Sequence, residues 1–212
     1  AIDASESSQM LSALLMVAPL ASSPLRINLT RGVRWPFVEM TINQMAQFGF
    51  SGEVKREGDS FWVARGRYAS APGYAVEPDA TAASYFATLP LVVGGAVTIP
   101  HFSGLSGGLQ GDTQFLRVIG RSGAVVESGP AGTAVSFGAD ARRLAVDQDF
   151  REFSDTFLTL AAVAPLLNGP TRIRGIAHTR KQETDRVAGA ARELLRLGQK
   201  VVETDDALEI YP

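Results

Sequence analysis

The chain has 212 residues, 45% of them hydrophobic and 20% charged, and a formal net charge of −2. That supplies a sizeable core and excludes a disordered chain, an acidic tail or a basic nucleic-acid arm as a description of the whole. Cysteine is absent and the only histidines are His101 and His178, which removes disulfides, thiolate metal sites, a cysteine nucleophile and a polyhistidine metal centre.

An apolar run from residue 10 to residue 21 opens the chain and could pass for a secretory leader. No Lys or Arg precedes Arg26, and Asp3 and Glu6 stand where a leader is positive. The run is too short to span a bilayer, so it is read as a buried helix of a cytoplasmic protein. Among the 20 cationic residues only Lys55, Lys181 and Lys200 are lysines. The guanidinium fork suits planar and phosphate anions, but compositional bias is the better account of most of the arginines.

The predicted elements follow a repeat. Ser7, Thr81 and Asp155 stand 74 residues apart, and each opens an apolar helical stretch. Short strands follow at 25–29, 96–99 and 171–174. Second helices come next, running up to Gly49, Gly123 and Gly198, where a glycine suits the left-handed position after a helix. Strand pairs at 53–55 and 61–65, 124–127 and 134–137, and 200–203 and 207–211 close the units. Copies two and three also show an opening strand, at 74–77 and 143–146; the first copy lacks one because the chain starts just before its helix, as if cut from something longer. The fold class is α/β (α+β), built of βαβαββ units. The first helix of each unit is apolar nearly all round, as in a helix buried on every side, so sheets should surround parallel helices in an inside-out α/β barrel. Aligned N-termini of such helices favour an anionic ligand.

Three clusters stand at these helix starts. Ser7-Ser8-Gln9 could hold a phosphate or simply cap a helix. Asp155 could be a cap, or an acceptor that positions or deprotonates a substrate hydroxyl. His178 to Arg186 crowds both signs of charge beside a histidine. Its acids could complement the helix dipole or form an acid/base group among anion-binding arginines. His101 reads as a loop residue without a role. The glycine-rich 103–112 stretch lacks the phosphate-loop spacing and reads as a flexible connection, and Gly129-Pro130-Ala131-Gly132 as a hairpin turn.

Taken in order, Ser7-Ser8-Gln9-Met10-Leu11-Ser12, Val76-Glu77-Pro78-Asp79 with Ala83-Ser84-Tyr85-Phe86, Gln110-Gly111-Asp112 and Gln182-Glu183-Thr184-Asp185-Arg186 resemble the 5-enolpyruvylshikimate-3-phosphate synthase family over essentially the whole chain. The resemblance implies a two-lobed enolpyruvyl transferase-like fold with three units per lobe. Residues 1–77 would belong to the first lobe and 78–212 to the second. It implies transfer of the enolpyruvyl group of phosphoenolpyruvate to the 5-hydroxyl of shikimate 3-phosphate, in aromatic amino acid biosynthesis, by a monomer without metal or cofactor and without nucleic-acid or membrane partners. Carried over by position, Ser7 and Ser8 bind the shikimate phosphate and Gln9 lies between the substrates. Asp155 holds the reacting hydroxyl, Glu183 moves a proton at the methylene carbon, and Arg186 binds phosphoenolpyruvate. Arg34, His178 and Gln182 occupy substrate-binding positions where the family often has serine, asparagine and lysine, and Phe37 replaces a tyrosine. The family is about twice this length, so the chain alone is expected to be inactive or nearly so. The alternatives are a non-catalytic anion-binding or scaffold module, and enolpyruvyl transfer to another acceptor. Among the latter, the relative acting on UDP-N-acetylglucosamine is disfavoured by the missing cysteine and the Ser-Ser-Gln start.

Overall fold

Proline and glycine punctuate the chain where the repeat requires it. The computed structural model describes residues 1–5, 7–69 and 73–212. The first helix, α1 (Gln9–Val17), tightens into a 3-10 turn at Ala18–Leu20, and α5 (Phe157–Val163) does the same at Ala164–Leu166. Both turns read Ala-Pro-Leu, and the proline cannot donate the next helical hydrogen bond. The corresponding helix of the middle copy is α3 (Ala80–Val93). The second helices are α2 (Trp35–Gln47), α4 (Phe115–Arg121) and α6 (Arg186–Arg196). They run out at Gly49, Gly123 and Gly198, whose φ angles of 63°, 105° and 84° put all three in the left-handed region expected after a helix.

The chain divides into two compact units, Ala1–Val76 and Glu77–Pro212. In the first, β1 (Leu25–Asn28), β2 (Val54–Glu57) and β3 (Ser60–Val63) form an antiparallel sheet in the order β1-β3-β2. The second has two sheets. One is β4 (Gly95–Pro100), β6 (Gly132–Phe137) and β5 (Val125–Gly129), with Gly129 and Gly132 paired across the expected two-residue hairpin turn. The other runs β7 (Asp147–Asp149), β8 (Thr171–Arg174), β10 (Ala207–Tyr211), β9 (Lys200–Glu203), with β7 parallel to β8. The same strand order thus recurs three times. Each unit has its own core: Leu11, Leu15, Val38, Met45 and Phe61 in the first, and Phe115, Phe150, Phe157, Leu160, Ile173 and Leu208 in the second.

Five expectations need correction. The first copy does keep a trace of its opening strand, because Ile2 bridges in parallel to Leu29, donating to Asn28 O at 2.8 Å and accepting from Thr30 N at 2.9 Å. The strand expected at 74–77 does not form. Tyr74 is held by Gln44 and Gln47 and packs on Phe48, while Glu77 bonds to Leu109 and Gln110, so the segment cannot run alongside β4. The strand expected at 143–146 starts later, at Asp147, since Leu144 N–H is already taken by Ser122 O and Arg143 O by Asn168 N–H. The first helices are not buried on every side: Met10, Met16 and Val17 of α1 and Tyr85, Phe86, Leu89 and Val93 of α3 are exposed. The 103–112 stretch is not a loose connection. It contains 3-10 turns at Gly104–Ser106 and Gly111–Gln114, tied down by Ser128 and Glu77. His101 is a loop residue as expected, with φ 60° just after β4.

Candidate active site

In the second unit, three residues singled out by sequence meet. Asp155 lies in the 3-10 turn Ser154–Thr156 that leads into α5. Arg186 is the first residue of α6, so its side chain starts beside the helix N-terminus. It donates from Nη1 to Asp155 Oδ1 at 2.9 Å and from Nη2 to Glu183 Oε2 at 2.7 Å. One guanidinium therefore bridges the two carboxylates that the family resemblance singles out. Glu183 is exposed, and its own backbone N–H together with Arg186 holds its carboxyl below the usual range. His178 comes up to the same turn, its Nε2 lying 2.9 Å from Ser154 Oγ, next to Asp155. Gln182 differs. Its Oε1 is buried without a hydrogen-bond partner among the described residues, a placement that ordinarily costs about 1–3 kcal/mol.

The 175–186 segment that carries these groups is held at both ends by the β9–β10 turn. Asp206 accepts from Gly175 N at 3.3 Å and Ala177 N at 2.8 Å. Arg180 donates to Glu203 Oε1, Thr204 O and Asp205 O on the turn, and to both oxygens of Asp185 on the segment. Asp185 in turn caps α6 by accepting from Ala188 N at 2.9 Å, and this bond leads the causes that lower its carboxyl pKa. Arg180 thereby fixes Asp185, the neighbour of Arg186 in the chain.

Two further carboxylates stand at neighbouring helix starts. Asp79 caps α3, accepting from Thr81 N at 2.8 Å and Ala82 N at 3.1 Å, while Gln110 Oε1 takes Ala80 N–H at 2.8 Å. Asp112, in the turn before α4, is only 6% exposed, and among the described residues its Oδ1 has no partner. Burial above all, then the charges of Asp155 and Asp79, pushes its pKa up to about 7. Sequence reasoning gave Asp112 no role. Its only signal was its place in Gln110-Gly111-Asp112.

In the first unit, Ser7, Ser8 and Gln9 lie at the start of α1, and Arg34 stands just before α2. Ser7 Oγ accepts from Gln9 N at 3.3 Å; Ser8 is buried, and its hydroxyl does not cap the helix. Thr41 donates to Ser12 Oγ at 2.8 Å, joining α2 to α1. Neither α1 nor α2 has an acidic residue in its first turn. Arginine and hydroxyl groups there suit an anion. Among the described residues no group of three His, Cys, Asp or Glu could hold a metal ion, and no helix is long and apolar enough to cross a membrane.

The architecture is that of the enolpyruvyl transferases. An EPSP synthase from Acinetobacter baumannii superposes with a TM-score of 0.73 at 20% identity, over 97% of this chain and 46% of that one. The enolpyruvyl transferase NikO from Streptomyces tendae gives 0.61 at 21% identity, over 94% and 44%. These likenesses concern the fold. The family itself follows from sequence: residues 1–212 match the family model described as EPSP synthase (3-phosphoshikimate 1-carboxyvinyltransferase), and the chain belongs to that family. A 3-phosphoshikimate 1-carboxyvinyltransferase of Opitutus terrae is 56% identical over 100% of this chain and 46% of its own length; that of Nostoc punctiforme is 38% identical over 100% and 49%. The chain thus spans about half the length of the curated relatives it matches.

Proposed function

We propose that the chain carries the acid–base centre and the phosphate grip of an enzyme that joins phosphoenolpyruvate to shikimate 3-phosphate. The observation behind this reading is the Arg186 guanidinium bridging Asp155 and Glu183. Asp155 accepts the proton of the 5-hydroxyl as its oxygen attacks C2 of the enolpyruvyl group, and Glu183 gives a proton to the methylene carbon. In the elimination that follows, Glu183 takes a proton back from that carbon and the C2–O bond to phosphate breaks, the departing phosphate oxygen taking the proton that Asp155 had accepted and leaving as inorganic phosphate. Arg186 yields its Glu183 contact to the anionic phosphoenolpyruvate, which removes one cause of the lowered Glu183 pKa and lets that carboxyl take up the proton it donates.

Ser7, Ser8, the N–H groups at the start of α1 and Arg34 hold the 3-phosphate, with Gln9 beside it. His178 contributes through Ser154, and Gln182 takes the place of the usual lysine. The chemistry consists of proton transfer and charge stabilisation, and no cofactor enters it. Residues 1–77 and 78–212 are assigned to different lobes of a cytoplasmic, monomeric enzyme. The inside-out arrangement is supported by the exposed apolar faces of α1 and α3, which further units of the same repeat would cover.

Calorimetry tests the phosphate grip. The sample is a chimera in which this chain replaces its counterpart in the Opitutus relative, titrated with shikimate 3-phosphate. Ser7→Ala with Ser8→Ala is expected to weaken binding about 10–100-fold, the value of one or two hydrogen bonds to a charged group. Unchanged affinity would remove these serines from the site. Tight binding without any phosphate release by the unaltered chimera would favour the scaffold alternative.

A further inference from the structure

Among the described residues, Asp112 is the one deeply buried acid that the proposed reaction leaves unused. It lies on the Gly111–Gln114 turn, which packs against α3 and against the turn carrying Asp155. The charged groups facing it are Asp79 from the cap of α3 and Asp155 from the turn before α5; the Gly104–Ser106 turn brings none. The Arg117 and Arg121 side chains of α4 form no bond with it, and among the described residues no cation pairs with it. What it receives is partial positive charge from the backbone N–H groups of Asp112 itself and Thr156. Asp155, in contrast, has Arg186 at 2.9 Å.

We infer that Asp112 and Asp155 act as a divided carboxyl pair in which Asp112 holds a proton, so that Asp155 stays ionised and seated on Arg186, making Asp112 a positioning residue for the substrate-facing carboxylate. Two carboxylates in one neighbourhood cannot both ionise freely, and the proton settles on the member with fewer compensating partners. Asp112 is that member: buried, with one oxygen unsatisfied and no cation. Ionising it sets a second negative charge beside Asp155 and alters how Arg186 is shared between Asp155 and Glu183.

The inference rests on the proposed role of Asp155 only for its catalytic meaning. Its test reads titration rather than turnover, so the two can fail separately. The carboxyl carbon of Asp112 and the guanidinium nitrogens of Arg186 are followed by NMR in the labelled chain from about pH 5 to about pH 9. Asp112 is expected to titrate near about 7, and Arg186 to shift with the same midpoint. Asp112→Asn should abolish the Arg186 inflection. Asp155→Asn and, separately, Asp79→Asn should each lower the Asp112 midpoint by about half a unit or more. Asparagine at 79 still caps a helix, so that variant keeps the fold. An Asp112 midpoint in the ordinary carboxylate range overturns the inference. So does an Arg186 signal that stays flat while Asp112 titrates, or a midpoint unmoved by both variants.

Discussion

Asp112 makes stability depend on pH in a direction opposite to most carboxylates. Its pKa in the folded chain, about 7, lies above the ordinary value near 3.8. Its contribution is fully present below the unfolded pKa and is lost as pH rises through about 7. Asp185 and Glu183 have lowered pKa values and act the other way, their contribution being lost as pH falls through those values. Thermal melts of Asp112→Asn should therefore lack the decline that the unaltered chain shows as pH rises from about 4 to about 7, a difference on the order of a few kcal/mol over that window. Parallel melting curves for the two proteins across that range would contradict it. The sequence singled out Asp155 by the 74-residue spacing, and Glu183 and Arg186 by a family motif at the start of α6, and the structure brings the three together. Asp112 was not legible in it, because a carboxylate in a glycine-rich stretch reads as solvated, and only the fold shows α3 and the Asp155 turn closing over it.

At the scale of elements, the 74-residue spacing foretold the helices and most strands, since it rests on hydrophobic period and turn residues that act locally. What it missed depends on partners far along the chain: Ile2 finding Leu29, Tyr74 finding Gln44 and Gln47. The three glycines after α2, α4 and α6 share a role but not an environment. Gly198 has open space at its Cβ position, whereas a Cβ on Gly123 would run into the carbonyl of Arg142. Gly198→Ala should cost about 1 kcal/mol for its left-handed backbone alone. Gly123→Ala should cost clearly more, because backbone must also move. Equal losses in chemical denaturation would show that the close approach to Arg142 carries no weight.

At the scale of the whole molecule, the two units carry different chemistry. Helix starts in the first bear Ser7, Ser8 and Arg34, which suit a phosphate. Those in the second bear Asp79, Asp112 and Asp155, with Arg186 set against Asp155. Net charge near zero hides this division, and composition alone could not reveal it. The exposed faces of α1 and α3 were likewise invisible to a reading that took an apolar helix to be an enclosed one. The most direct measurement is phosphate release from phosphoenolpyruvate and shikimate 3-phosphate by the Opitutus chimera, with the isolated chain and the Glu183→Gln chimera alongside. The account predicts turnover by the chimera, none above background by the chain alone, and a fall of about 100-fold or more for Glu183→Gln with shikimate 3-phosphate binding retained. Undiminished release by the Glu183→Gln chimera would contradict the assignment of proton transfer to the carboxylates bridged by Arg186.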